Sequence, residues 1–110
     1  MCSFKKKKAS EAVKKDREQI SINERSFETL IVLAKENADF AVSLRTTREK
    51  IKYLTPSADK KVTDYEKKIH NLIDDLKIVL TKTNGEELPA KAKSLLDQIN
   101  LAIAERNAIV

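Results

Sequence analysis

The whole chain of 110 residues contains one glycine and two prolines, and they fall at two places only: Pro56 in LTPSAD, and Gly85 with Pro89 in TNGEELPA. An all-β fold needs turn residues between many short strands, and this sequence has almost none to offer, so it reads as all-α. Each breaker site also carries helix-boundary chemistry. Thr55 offers an N-cap oxygen, Pro56 fits a first helical position where its missing N–H is harmless, and Asp59 suits the positive end of the helix dipole. Asn84-Gly85 suits a left-handed helix stop, and Pro89 suits the first turn of the next helix.

Three segments result, and each carries an apolar stripe at helical spacing. In the first, Leu30, Leu33, Asn37, Phe40, Leu44, Thr47, Ile51 and Leu54 form a seam with Asn37 and Thr47 as polar exceptions. Asn37 fits a register-setting contact in a coiled coil, and fits equally a contact within its own bundle or a position facing water. The second stripe runs Val62, Tyr65, Ile69, Leu72, Leu76, Val79 and Thr83, widened by Ile73 and Leu80. The third runs Leu88, Ala92, Leu95, Ile99, Ala102, Arg106 and Ile109. The spacing predicts helices near 27–54, 57–83 and 89–108. Short connections favour antiparallel neighbours, so the expected fold is a three-helix up-down-up bundle over residues 27–110. Residues 1–26 have no predicted place in it. They read as a basic N-terminal arm, mobile or partly helical, with a break near residues 20–26 and disorder over residues 1–10. Tyr53 and Tyr65 read as packing residues with a polar tip.

Charge is unevenly spread. Residues 1–26 hold eight basic and four acidic side chains, which is +4 of the net +5. The remainder is nearly neutral, whereas a folded nucleic-acid-binding face concentrates Lys and Arg on the body, so a nucleic-acid role is disfavoured. Lys5, Lys6, Lys7 and Lys8 beside Phe4 could instead contact an anionic membrane surface, with Cys2 as a natural position for a lipid that would add the second anchoring signal, although a solubilising tail with an unmodified thiol is the simpler reading. The longest apolar run, residues 30–34, is five residues, far short of a membrane span. No apolar stretch follows the lysines as a secretory signal requires, so the expected location is cytoplasmic, with peripheral membrane attachment as the alternative.

Catalytic patterns find little purchase. His70 is the only histidine and Cys2 the only cysteine, which excludes zinc sites built from several of either. His70 follows a stripe residue and falls on the outer flank of its helix, where a pairing with Glu66 or Asp74 accounts for it. Asp74-Asp75 and Glu86-Glu87 are adjacent in sequence without sharing an inward face, and one glycine cannot build a phosphate-cradling loop. The reading is a non-enzymatic chain with no cofactor, metal or small-molecule substrate.

What stands out is apolar surface beyond the stripes. Val32, Ile78 and Leu101 each lie off the main stripe of their helix. Val32 and Ile78 are expected at one height on neighbouring helices, forming a patch that a second copy, another protein, or the chain's own Ile20 and Ile22 could cover. The function read from sequence is therefore a small helical protein-protein interaction module, with a twofold homodimer as the expected assembly. A peripheral membrane adaptor held by the basic N-terminus is the runner-up, and a weak nucleic-acid binder is third.

Overall fold

The computed structural model describes residues 2–82 and 88–110, with side chains from residue 11 onward. Its described residues form four α-helices: α1 (Cys2–Leu33), α2 (Ala38–Lys52), α3 (Lys60–Lys82) and α4 (Ala90–Ile109). The all-helical reading therefore holds, with four helices where three were expected. The difference arises at residues 34–37. The predicted helix over 27–54 breaks there, although the break contains neither glycine nor proline. The chain leaves α1 through bonds from Ala34 N–H to Leu30 O and from Lys35 N–H to Val32 O, and Asn37 stands at the N-cap position of α2 with φ −120°. Asn competes well for turn and cap positions, so it takes up the reversal. Asn37 is thus a turn residue at a helix start and holds no coiled-coil seam.

Folding back at this turn gives the N-terminal segment a place in the core. A straight helix over 27–54 would have left residues 1–26 unpartnered, whereas α2 returning along α1 buries the apolar sides of both. Ile20, Phe27 and Leu30 of α1, with Ala34 just after it, meet Phe40, Leu44 and Ile51 of α2 in one buried core with α3 and α4. Asp16 and Asn23 are buried as well, so α1 is part of the bundle well upstream of residue 27. No break occurs at residues 20–26, where α1 is continuous.

The fold is two helical hairpins, α1–α2 and α3–α4, joined by residues 53–59. Helix α1 packs on α2 and α3, and α4 packs on α3 and α2, so α1 faces α4 across one diagonal and α2 faces α3 across the other. Lateral bonds give the directions. Asp16 meets Ser57 while Asn23 meets Glu66, so α1 and α3 run parallel. The joining segment therefore crosses the end of the bundle diagonally. Pro56 keeps Thr55 out of helical geometry, and α3 starts later than predicted. Asp59 takes the capping role expected of Thr55: its Oδ1 accepts from Lys61 N–H at 2.8 Å, while Ser57 Oγ accepts from Asp59 N–H at 3.0 Å. Pro89 stands at the N-cap of α4, one position ahead of the first-turn place expected of it. The Gly85 corner lies outside the described residues.

The buried stripe of α3 is turned slightly from the one predicted. Val62, Glu66, Ile69, Ile73, Leu76 and Leu80 are buried, with Tyr65, Leu72 and Val79 at its margin. Tyr65 Oη donates to Glu105 Oε2 at 3.4 Å from that margin. Tyr53 does not pack: it is 73% exposed at the end of α2, with Lys52 Nζ 5.6 Å from its ring centre. No helix is long and apolar enough to cross a membrane among the described residues.

Candidate functional site

Most of the core is aliphatic, so its charged members stand apart. Glu66 occupies a stripe position of α3, four residues after Val62, and Arg106 occupies one of α4, four after Ala102. Asp16 stands four residues before Ile20 on the inner side of α1. Being on the core side of their helices, all three are carried inward by the same packing that buries their apolar neighbours. Arg106 is 0% exposed, Glu66 1% and Asp16 3%.

Arg106 is the hub. Its Nε donates to Glu66 Oε1, and its Nη2 donates to Thr55 O at 2.7 Å and to Asp16 Oδ2 at 3.2 Å. Asp16 Oδ2 also accepts the Ser57 N–H at 2.7 Å. One guanidinium thereby ties α1, α3, α4 and the 53–59 segment together at the point where that segment crosses the bundle. A planar fork suits the task, since its fixed N–H directions serve three acceptors at once. Without Arg106 and Asp16, the Thr55 carbonyl and the Ser57 N–H would lose these partners.

A second polar set lies next to it. Asn23 Nδ2 donates to the Glu66 backbone carbonyl at 3.2 Å, which fixes the amide so that Oδ1 is the acceptor. Oδ1 receives Gln19 Nε2 at 3.3 Å and His70 Nδ1 at 3.2 Å, so His70 carries a hydrogen on Nδ1. His70 Nε2 lies 3.4 Å from Asp74 Oδ2. Of its two expected partners, His70 thus has Asp74, while Glu66 has turned to Arg106. On the other side of the bundle, Thr47 Oγ1 and Lys50 Nζ both reach Asn100 Oδ1, at 3.1 and 3.3 Å, which joins α2 to α4.

The electrostatics follow from burial. Glu66 is pushed up to about 8, first by desolvation, then by the Asp16 carboxyl group beside it, while Arg106 pulls the other way through both its hydrogen bond and its charge. A groove between α1 and α3 leads toward this pair, walled by Ala12, Lys15, Gln19, Lys60, Thr63 and Lys67. The charged groups beneath bond to one another, while Asp16 Oδ1, Glu66 Oε2 and Arg106 Nη1 stay buried without a hydrogen-bond partner. This is chemistry that holds helices together, and among the described residues no group of three or more His, Cys, Asp and Glu side chains is placed to hold a metal ion.

The sequence-derived surface residues are all exposed: Val32 65%, Ile78 53% and Leu101 59%. Val32 and Ile78 stand on adjacent helices. Asn23 is bonded to Glu66 and His70, so on parallel helices Val32, nine residues further, is level with residues 75–79, a span that includes Ile78. The shared height expected from an antiparallel pairing thus arises from a parallel one. Leu101 belongs to α4, diagonal to α1, and its outward side chain faces a different side of the bundle from Val32. Ile22, offered as an internal cover, is itself 40% exposed, whereas Ile20 is buried in the core. The side chains of Cys2, Lys5, Lys6, Lys7 and Lys8 lie outside those described, although the α1 backbone is helical from Cys2.

Sequence reasoning missed the Arg106 cluster. The available signal was a positive residue on the apolar stripe of the last helix, which calls for buried acidic partners elsewhere. Compared with known proteins, the chain matches no family, no curated protein and no solved structure.

Proposed function

We propose that the chain is a non-enzymatic helical interaction module that pairs with a second copy of itself through the α1/α3 side of the bundle. The observation that carries this reading is the pair of large, exposed apolar side chains, Val32 and Ile78, at one level on adjacent helices. Their surroundings favour a reciprocal contact. Val32 has Glu28 four residues before it and Glu36 four after it, with Lys35 the single basic residue in that stretch, while Ile78 sits in a shallow groove with Lys77, Thr81 and Lys82. In a twofold dimer, Val32 of one copy can meet Ile78 of the other, with the two glutamates against the lysines, and the symmetry closes the contact without forming a filament. The inward use of Asp16, Glu66 and Arg106 fits the same reading, because the chain's best-placed ionisable groups are spent on holding the helices in position.

Sedimentation velocity over a range of concentrations tests this. The wild-type chain should dimerise, Val32→Lys and Ile78→Lys should each give monomers of unchanged helicity, and Leu101→Lys should leave the dimer intact. A wild-type monomer at high concentration would refute it. The runner-up, a peripheral membrane adaptor, is supported by the run Lys5, Lys6, Lys7 and Lys8 next to Cys2 at the start of α1.

A further inference from the structure

Apart from any role in pairing, the contacts of Asp16 and Glu66 do not balance. Arg106 presents one positive charge to two carboxyl groups. Asp16 Oδ2 is filled by the Ser57 N–H and Arg106 Nη2, and Glu66 Oε1 by Arg106 Nε. Asp16 Oδ1 and Glu66 Oε2 remain buried with no donor from the protein. Glu66 bonds to Nε and Asp16 to Nη2 of the same guanidinium, which sets the two carboxyl groups side by side. Two neighbouring carboxylates on a single guanidinium, away from water, strongly disfavour double ionisation. One proton between the two open oxygens would serve both and leave the cluster electrically neutral.

What depends on that proton is set by the burial along α1. Between residues 11 and 19, Asp16 is the only buried side chain, and the rest are exposed or half-buried. Apolar anchoring begins at Ile20 and continues with Phe27 and Leu30. The stretch ahead of Ile20 is therefore fastened by the polar contacts of Asp16, and it can detach without baring a fully buried apolar side chain.

We propose that residues 11–19 of α1 are a latch, held against α3 and α4 by one proton shared between Asp16 Oδ1 and Glu66 Oε2, and that losing this proton frees the latch while the rest of the bundle stands. The elevated Glu66 titration agrees in direction and cause: burial and the Asp16 contact favour the proton. The charged groups facing the pair are Arg106 from α4, Lys15 from α1, and Lys60 and Lys67 from α3 along the groove. Arg106 favours the ionised form, and burial together with the neighbouring Asp16 outweighs it. The 53–59 segment presents the Thr55 carbonyl to Arg106 and the Ser57 N–H to Asp16, and His70 reaches Asn23 beside the pair. For the sign, Glu66 rises from 4.5 to about 8 in the folded chain, so the closed latch holds a proton that the open one releases. Closure is strongest below pH 4.5, weakens as pH rises, and its proton-linked part is gone near pH 8.

Amide hydrogen exchange between pH 6 and 9, expressed as protection factors corrected for intrinsic exchange, tests the latch. All proteins carry His70→Gln, which puts an uncharged side chain in place of the imidazole beside Asn23. Protection over residues 11–19 should fall about tenfold per pH unit up to about pH 8 and then level off, as expected when opening releases one proton. Glu66→Gln places an amide N–H where the shared proton lies and keeps an acceptor for Arg106, so its protection should not change with pH. Asp16→Asn should behave alike, which guards against one variant failing to fold. A pH-independent parent protein, or variants that retain its slope, would overturn the shared proton. Loss of protection in α3 and α4 in step with residues 11–19 would overturn the latch.

Discussion

Replacing Arg106 with leucine is the sharpest test of what holds this bundle together. The side chain is fully buried and serves three acceptors on three separate parts of the chain: Glu66 on α3, Asp16 on α1 and the Thr55 carbonyl between α2 and α3. Leucine keeps the apolar packing and removes every donor. Breaking a buried ion pair by deleting one partner costs roughly 3–5 kcal/mol, because the opposite charge stays buried, and a stranded carbonyl costs about 1–3 kcal/mol more. These losses overlap, since the carboxyl groups can take up protons, so the expected net loss is about 3–5 kcal/mol. Against a typical domain stability of roughly 5–15 kcal/mol, that is a large fraction. At about 4–8 °C per kcal/mol, the thermal midpoint should drop by ~12–40 °C. Urea unfolding at pH 6, followed by circular dichroism, measures it. Arg106→Lys should fall between, because a point charge cannot serve three acceptors as the planar fork does. Replacing all three members together, with Asp16→Leu, Glu66→Met and Arg106→Leu, should recover much of the loss, as apolar substitutes for buried ion networks often do. A cost below about 1 kcal/mol for Arg106→Leu, or one that disappears in high salt as for a surface pair, would refute the argument.

Other outcomes follow from the same packing. Leu76→Ala should cost roughly 2–5 kcal/mol by opening a cavity at a fully buried position, whereas His70→Ala should stay within about 0.5 kcal/mol because Asn23 Oδ1 retains Gln19; chemical denaturation compares the two. Asp59→Ala should cost about 1 kcal/mol by removing the oxygen that accepts the Lys61 N–H at the start of α3, and a thermal melt detects it. Deleting residues 1–9 should leave the thermal midpoint nearly unchanged while abolishing any low-salt binding to anionic vesicles, which co-sedimentation reads directly.

Local chemistry is enough to make this chain helical and to place two of its boundaries. Scarce glycine and proline allow little else, and Pro56 and Pro89 act through backbone sterics that need no tertiary partner. The apolar stripes of the last two helices were legible for the same reason, since a period near 3.6 is a property of neighbouring residues. Packing between distant segments set the rest. The turn at residues 34–37 has no strong breaker, and only the gain from folding α2 back along α1 selects it over a straight helix. Asp16 looks like one more charge in a basic N-terminal segment until α1 is laid beside α3, and Glu66 looks like a partner for His70 one turn away. A charge buried in a helix core needs its counter-charge in three dimensions, and here that charge comes from Arg106, 90 residues from Asp16 in sequence. The prediction that Val32 and Ile78 share one height shows the same division. Both residues were visible as surplus apolar positions, but their level was set by α1 running parallel to α3, an arrangement that local spacing does not encode.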